Sequence, residues 1–157
     1  MADEVRVTQD IGAPAHTVWA MVADLTRMGE WSPEAVGAVW LRGATGPAPG
    51  ATFRGTNRRG KKKWETLGRI IDADPGRLIS FRITAKGFQV AEWRYAFEPT
   101  ENGCRVTETW IDRRGRVAKA FGGPVSGVTE RVAHNRATME QTLERLKAAA
   151  EAATAPA

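Results

Sequence analysis

The sequence has very few of the residues that form disulfides or bind zinc. Its one cysteine, Cys104, has no partner for an internal disulfide, and its two histidines, His16 and His134, lie far apart without a cysteine beside either. A lone thiol of this kind is more often a small buried hydrophobe than a nucleophile. We therefore expect Cys104 to be structural, and we expect neither a metal site nor a cofactor.

The sequence also lacks the long apolar segment of a membrane protein. Hydrophobic residues make up 42% of the 157 residues, but no apolar run approaches the roughly 20 residues needed to cross a bilayer. The N-terminal MADEVRVTQD is charged and alternates like a strand, which is not typical of a secretory signal. We expect a cytoplasmic protein without membrane insertion, folded as one domain over residues 1–150 with a frayed tail at 151–157.

The charge is basic overall and concentrated in one place. The net charge is +5, and five of the six residues from Arg58 to Lys63 are arginine or lysine. Because this run lies between two strand-like segments and contains a glycine, it predicts a solvated hairpin tip. No nucleic-acid-binding motif or interleaved aromatic residue accompanies it, so a nucleic-acid partner is not favoured. Binding of the tip to an acidic partner remains an alternative.

Hydrophobic periodicity divides the chain into strand-like and helix-like segments. Alternation predicts a strand at Val5–Ile11, and helical spacing predicts two short helices between Pro14 and the Ser32-Pro33 break. Strands are then predicted at 36–42, 51–57, 64–73, 77–84, 89–98 and 104–112. A long final helix follows, with an apolar stripe of Val125, Val128, Val132, Met139, Leu143 and Leu146. This order predicts an α+β fold in which the long helix covers a curved antiparallel sheet.

Four segments carry a resemblance to a known superfamily: WSPE after the short helices, GATFRGTNRRGKKKWET, DADPGRLISF and HNRATMEQTLERLKAAAE. Together with the element order, they resemble the START/polyketide-cyclase (SRPBCC) superfamily, in particular its bacterial polyketide cyclase/dehydrase and lipid-transport type. The resemblance covers about residues 3–150 and implies a helix-grip fold, with a seven-stranded antiparallel sheet wrapped around the C-terminal helix. It also implies a cavity between sheet and helix for lipids, polyketides or other apolar molecules. Because such folds support many functions, the resemblance alone does not define an activity.

The sheet supplies most of the candidate ligand-binding residues. In the strand at 89–98, aromatic residues alternate with charged ones, which predicts that the aromatic side chains point inward. The same argument places Ile79, Phe81 and Ile83 inside, and it places Phe53 on the inward face of its strand and Arg54 on the outward face. Trp64 lies in a strand of weaker alternation. The candidates on the sheet are Phe53, Trp64, Phe81, Trp93, Tyr95, Phe97 and Trp110. Simple core packing is the alternative role for each of them.

Glu108 is the candidate catalytic residue. It shares a strand face with Val106 and Trp110, so it points inward if they do. A carboxyl group between apolar neighbours is desolvated, which raises its pKa and suits it to acid/base chemistry or to binding a polar ligand group. The alternatives are a glutamate paired with an inward arginine, or a register in which the threonine face of this strand is inside.

The final helix adds four candidates for ligand contact. Val132 and Met139 lie on its apolar stripe, and Asn135 and Arg136 lie at the two edges of that stripe. The two edge residues are therefore predicted to offer polar groups to the cavity, although Arg136 alternatively extends to the helix edge and into water. His134 lies nearly opposite the stripe and is predicted to face solvent.

The segment MGEWSPE connects the second short helix to the second strand, which the resemblance places at the cavity rim. Trp31 is predicted either to pack under the short helices or to close the entrance and contact a ligand. Pro33 fixes the path of the chain, and Glu34 is predicted to lie at the rim rather than in the interior.

Three functional hypotheses follow. The first is binding of a small hydrophobic or aromatic molecule, supported by the resemblance and by aromatic rows with few polar groups among them. The second is a cyclase/dehydratase-type enzyme in which Glu108, helped by Asn135 or Arg136, moves a proton next to a carbonyl group. The third is a partner-binding module that uses the basic hairpin tip. The sequence predicts neither the identity of the ligand nor the oligomeric state.

Overall fold

The computed structural model describes residues 3–115 and 130–156. The strands are β1 (Glu4–Ile11), β2 (Ala35–Trp40), β3 (Thr52–Arg59), β4 (Lys62–Asp74), β5 (Leu78–Ala85), β6 (Phe88–Thr100) and β7 (Gly103–Asp112). Helix α1 (Ala15–Ala23) and a 3₁₀ helix (Leu25–Glu30) lie between β1 and β2, and helix α2 (Arg131–Thr154) follows β7. No helix within the described ranges is both long enough and apolar enough to span a bilayer.

All seven strands form one antiparallel sheet in the order β1-β7-β6-β5-β4-β3-β2. The sheet is curved and open, and its first and second strands are its two edges. Five of the six pairings join strands that are consecutive in sequence, as short turns favour, and the sixth brings β1 beside β7. This α+β arrangement confirms the predicted helix-grip fold.

Helix α2 packs against the face of the sheet that we call the inner face. Its buried residues are Asn135, Met139, Thr142, Leu143, Leu146 and Ala150, which recur at helical spacing. Met139 contacts the cluster of Val5 and Trp110, whereas Leu143 and Leu146 join the main hydrophobic core. The helix therefore crosses the inner face from the start of β1 towards its end.

The helix is longer at its C-terminus than the sequence predicts. It continues to Thr154, whereas the frayed tail was expected to begin at residue 151. Glu151 explains part of the difference, since its carboxylate accepts a hydrogen bond from the backbone N–H of Gly12 and pairs with Lys147. The alanine-rich sequence also favours helix. Val125 and Val128, the first members of the predicted stripe, lie outside the described residues.

A close approach between two strands shapes the inner face at Gly68. Gly68 of β4 lies opposite Phe53 of β3, and a Cβ atom built on this glycine would lie 2.0 Å from the tip of the Phe53 ring. The missing side chain thus allows the phenylalanine to lie flat across β4. It contacts Phe81 of β5 edge to face, with ring centroids 5.6 Å apart. The contact between the Phe53 and Phe81 rings therefore spans β3, β4 and β5.

Candidate functional site

The candidate site is a group of side chains on the inner face, built by the register of β1, β7, β6 and β5. One row across these strands contains Val7, Glu108, Tyr95 and Ile79, and the next contains Val5, Trp110, Trp93 and Phe81. Every residue except Glu108 and the hydroxyl of Tyr95 is apolar or aromatic. The prediction that Val106, Glu108 and Trp110 face inward is confirmed, because all three are at most 3% exposed.

Glu108 and Tyr95 form the polar centre of this face. They are direct cross-strand neighbours, and the Tyr95 hydroxyl donates a hydrogen bond to Oε1 of Glu108 over 2.7 Å. The other carboxyl oxygen, Oε2, is buried and has no hydrogen-bond partner within the described ranges. The partner of Glu108 is thus a tyrosine and not the inward arginine considered as an alternative. A buried polar atom without a partner is rare in proteins and is often a functional feature.

Burial changes the protonation of both groups. Desolvation raises the pKa of Glu108 from 4.5 to about 8, and the hydrogen bond from Tyr95 opposes this rise. Burial and the neighbouring Glu108 raise the pKa of Tyr95 well above its usual value. At neutral pH the favoured form is therefore a neutral carboxylic acid beside a neutral phenol. Because Tyr95 donates to Oε1, the acid proton is placed on Oε2, where it is available to a third group.

The predicted aromatic candidates divide into buried and half-buried residues. Phe53, Phe81, Tyr95, Phe97 and Trp110 are at most 7% exposed, as their strand alternation predicted. Trp93 and Trp64 are half-buried. Trp93 lies between the two hydrophobic clusters and beside Trp110, whereas Trp64 lies opposite Asn57 near the β3–β4 turn. Half-buried aromatic side chains thus lie both in the middle of the inner face and near that turn.

Trp31 packs in the main core. It is 1% exposed and belongs to the same hydrophobic cluster as Leu25 and Met28 of the 3₁₀ helix. The guanidinium of Arg27 lies over its ring, 5.2 Å from the centroid. Its Nε1 is buried and has no hydrogen-bond partner among the residues described. This placement favours the core-packing role of Trp31 over the role of an exposed lid.

On α2, the structure separates the four predicted contacts into two pairs. Asn135 and Met139 are buried, at 3% and 1% exposure, and face the sheet. Val132 is 42% exposed and Arg136 is exposed, so the prediction that these two face a cavity is not supported within the described residues. Val132 precedes Met139 by two turns, or roughly 10 Å along the axis. Met139 packs near the beginning of β1, whereas the first turn of α2 contacts Glu34 in the segment before β2.

The prediction for His134 is wrong. It is half-buried, and its Nε2 lies 2.6 Å from Oε2 of Glu34. The Glu34 carboxylate also accepts a hydrogen bond from Arg131, which in turn donates to Oδ1 of Asn135. The helical wheel assigned His134 to solvent because it considered only the sheet packed against the stripe. In the structure Glu34, in the segment before β2, covers that side of the first turn.

Neither a metal site nor a reactive thiol is found in the described part of the chain. No group of three potential ligands among histidine, cysteine, aspartate and glutamate is arranged there to hold a metal ion. Cys104 is fully buried, as predicted, and burial raises the pKa of its thiol. The thiol therefore packs as a small apolar group.

One surface depression of about 370 Å³ lies away from this site. Leu41, Arg42, Gly43, Ala44, Gly50, Ala51, Thr52 and Arg69 line it. None of these residues belongs to the predicted ligand-binding set. The depression is therefore distinct from the inner face around Glu108.

The architecture and the inner face together define a class of protein. A curved seven-stranded antiparallel sheet packed against a long C-terminal helix, with two short helices between its first two strands, is a helix-grip fold. The chain belongs to the family described as polyketide cyclase / dehydrase and lipid transport, whose sequence model matches residues 2–151. This confirms the predicted family. No curated protein gives a significant sequence match.

Solved structures share the fold over nearly the whole chain. The polyketide-cyclase-like protein Cgl2372 from Corynebacterium glutamicum is 30% identical, with a TM-score of 0.62, and the match covers 94% of this chain and 90% of that one. TTHA0849 from Thermus thermophilus is 19% identical, with a TM-score of 0.69 and coverage of 98% and 100%. The di-domain aromatase/cyclase StfQ of the steffimycin biosynthetic pathway is 15% identical, with a TM-score of 0.73 and coverage of 97% and 51%.

Proposed function

We propose that this protein binds a small hydrophobic or aromatic molecule on the inner face, between the sheet and α2. The observation that carries the proposal is the buried carboxyl oxygen of Glu108, which no described residue satisfies. An unsatisfied group of this kind costs about 1–3 kcal/mol of stability. A ligand that hydrogen-bonds to Oε2 would recover this free energy on binding.

The surroundings of Glu108 indicate the chemistry of the ligand. Val7, Trp110, Trp93 and Ile79 offer apolar and aromatic contacts in the same and the adjacent row. The neutral acid donates one hydrogen bond from Oε2, so it suits an uncharged acceptor such as a carbonyl or hydroxyl oxygen. We therefore infer an apolar ligand with at least one such oxygen, a description that fits a polyketide or an oxygenated lipid.

A second function, acid/base catalysis of the cyclase/dehydratase type, is favoured by the raised pKa of Glu108. An acid with a pKa of about 8 holds a proton at neutral pH and releases it readily enough to act as a general acid. Tyr95 would continue to donate to Oε1 and stabilise the carboxylate formed when the proton leaves. Among the helix residues proposed as helpers, Asn135 is buried towards the sheet, whereas Arg136 is exposed.

Titration with the uncharged fluorescent probe N-phenyl-1-naphthylamine tests the binding proposal. We expect saturable enhancement of the probe's fluorescence, and competition by apolar ketones that the matching hydrocarbons do not reproduce. Glu108→Leu should remove this preference for ketones, whereas Glu98→Gln, on the exposed outer face of β6, should leave it unchanged. Absence of saturable probe binding in the native protein would contradict the proposal.

Glu108→Gln separates binding from catalysis. The amide is isosteric and retains a hydrogen-bond donor, so a pure binding protein should keep its affinity for ketones within a few-fold. A general acid would be lost completely, because an amide does not release a proton in this pH range. Turnover of a poly-β-ketone substrate by the native protein, abolished in Glu108→Gln with unchanged binding, would support the enzyme. Equal turnover in both proteins would exclude Glu108 as its acid.

A further inference from the structure

The two hairpin tips at one end of the sheet form a strongly basic surface. The basic tip, residues 58–63 at the β3–β4 turn, carries Arg58, Arg59, Lys61, Lys62 and Lys63. The β5–β6 turn lies at the same end, because both hairpins turn after strands that run in the same direction. It adds Lys86, and Phe88 beside it is 68% exposed. We call these two turns together the basic end.

The pairing within the basic tip places like charges opposite each other. Arg58 pairs with Lys63, and Arg59 pairs with Lys62. Like charges directly opposite on neighbouring strands are destabilising. None of Arg59, Lys61, Lys62 and Lys63 forms an ion pair within the ranges the structure describes, and all four are exposed. The tip thus carries a concentrated charge that its own fold does not neutralise.

The opposite end of the sheet has a different balance. There Asp10 pairs with Arg105 and Asp74 pairs with Arg77, while Glu98 and Glu101 are exposed. Arg77 and Arg105 at that end are therefore each matched by an acidic residue. The contrast gives the molecule a basic end and a neutral-to-acidic end, which would orient it in front of an anionic surface.

The arrangement of the tip charges indicates the shape of the partner. Arg59 and Lys62 lie on the same face as the inner-face residues Asn57 and Trp64, whereas Arg58 and Lys63 lie on the outer face. A partner lying along one face of the hairpin reaches only half of these charges. A broad surface reaches both faces of the basic tip at once. It also reaches the neighbouring turn when the sheet tilts towards β5 and β6, because the register places Phe88 about four residues, or roughly 13 Å, behind Arg59 and Lys62.

We propose that the basic end docks the protein on an anionic lipid surface. The cations contact lipid phosphates, and Phe88 enters the headgroup region, where an aromatic side chain flanked by lysine is favourable. The attachment is peripheral, through two hairpin tips. It brings the end of the inner face that carries the half-buried Trp64 towards the lipid.

Flotation with vesicles tests the proposal. The native protein should bind vesicles of phosphatidylcholine with 30% phosphatidylglycerol at low salt, and should not bind vesicles of phosphatidylcholine alone. Replacing Lys61, Lys62 and Lys63 together by glutamine should weaken the partition coefficient by roughly 100-fold, since each lysine near such a surface contributes substantially to binding. Phe88→Ser should weaken it by roughly tenfold without changing its dependence on salt.

A matched control removes the same charge elsewhere. The triple variant Arg42→Gln, Arg77→Gln, Arg145→Gln changes three exposed cations outside the basic end and has the same net charge as the lysine variant. It should bind vesicles within about threefold of the native protein. Equal losses in both triple variants, or equal binding to neutral and anionic vesicles, would overturn the proposal. The proposal would also be overturned if the native protein bound duplex DNA but not anionic vesicles, and if the lysine variant lost the binding to DNA.

Discussion

Two buried glutamates on neighbouring strands, Glu92 and Glu108, lie on opposite faces of the sheet in very different surroundings. Glu92 is 6% exposed on the outer face, with nitrogen atoms of Arg113, Arg82 and Arg94 at 2.9, 3.7 and 4.0 Å from its carboxylate. Glu108 is 1% exposed on the inner face, and Tyr95 is its single hydrogen-bonding partner in the described chain. The carboxyl group of Glu92 is thus buried beside counter-charges, whereas that of Glu108 is buried without one in the described chain.

The difference separates a structural carboxylate from a candidate functional one. Three arginines compensate the charge of Glu92, and one of them, Arg113, lies just beyond β7. Glu92 therefore helps to fix the path of the chain where it leaves the sheet. Among the described residues Glu108 has no such compensation, and desolvation raises its pKa to about 8. The fold thus maintains a group that is more stable uncharged, on the face that the helix covers.

The largest expected effect is a loss of stability between pH 5 and pH 8. The folded-state pKa of Glu108 lies above its unfolded value, so the native state retains a proton that the unfolded state has released, and stability falls as pH rises. At roughly 1.4 kcal/mol per pH unit the loss amounts to about 4 kcal/mol across this range. Urea denaturation at several pH values measures it.

Glu108→Gln is the critical variant for this effect. Its free energy of unfolding should match that of the native protein at pH 5 and exceed it by several kcal/mol at pH 9, because the amide cannot ionise. A variant that is equally destabilised at both pH values would show that Glu108 does not carry the dependence.

Tyr95→Phe should have the next largest effect. It removes the one hydrogen bond that Glu108 accepts from a described residue and leaves neither carboxyl oxygen with a described partner, which costs about 1–3 kcal/mol. Because that bond lowers the pKa of Glu108, its loss should move the pKa further upward, and the destabilisation should be greater at pH 9 than at pH 5. Thermal unfolding at the two pH values checks this. Identical losses would contradict the assigned coupling.

Glu92→Gln should give the smallest change and a different signature. The three arginines are 40–47% exposed, so solvent screens their interaction with Glu92, and we expect a loss of about 1–2 kcal/mol. The loss should decrease in 1 M salt, because added ions screen the three arginine charges. Glu98→Gln, on the same face but exposed, is the matched control and should be nearly neutral. A loss at Glu92 that 1 M salt leaves unchanged would remove the contrast between the two glutamates.

Alternation along the chain was sufficient to predict the faces of the strands. A β-strand has a period of two, so one row of inward aromatic residues fixes the orientation of every other residue in that strand, including Glu108. The order of elements predicted an α+β fold with a long helix over a curved sheet, and the family resemblance implied the helix-grip fold. These predictions depend on local geometry, which a sequence displays directly.

Contacts between distant elements were not predictable in the same way. Tyr95 was predicted to face inward, but its pairing with Glu108 depends on the register of β6 and β7, and the arginines around Glu92 come from three separate segments. His134 was assigned to solvent because the helical wheel does not include Glu34, a hundred residues earlier in the chain. The one signal in the sequence for this contact was Glu34 itself, a charged residue that follows Pro33 at the start of a strand.

The most direct test of the central claim is a carboxyl ¹³C NMR titration of Glu108, assigned by its absence in Glu108→Gln. A midpoint near pH 8 in the native protein, shifted by a saturating apolar ketone while the exposed glutamates are unaffected, is the predicted result. A midpoint near the ordinary value of 4.5, unaffected by the ketone, would show that Glu108 is solvated or paired and would contradict the assignment of the inner face as a ligand site.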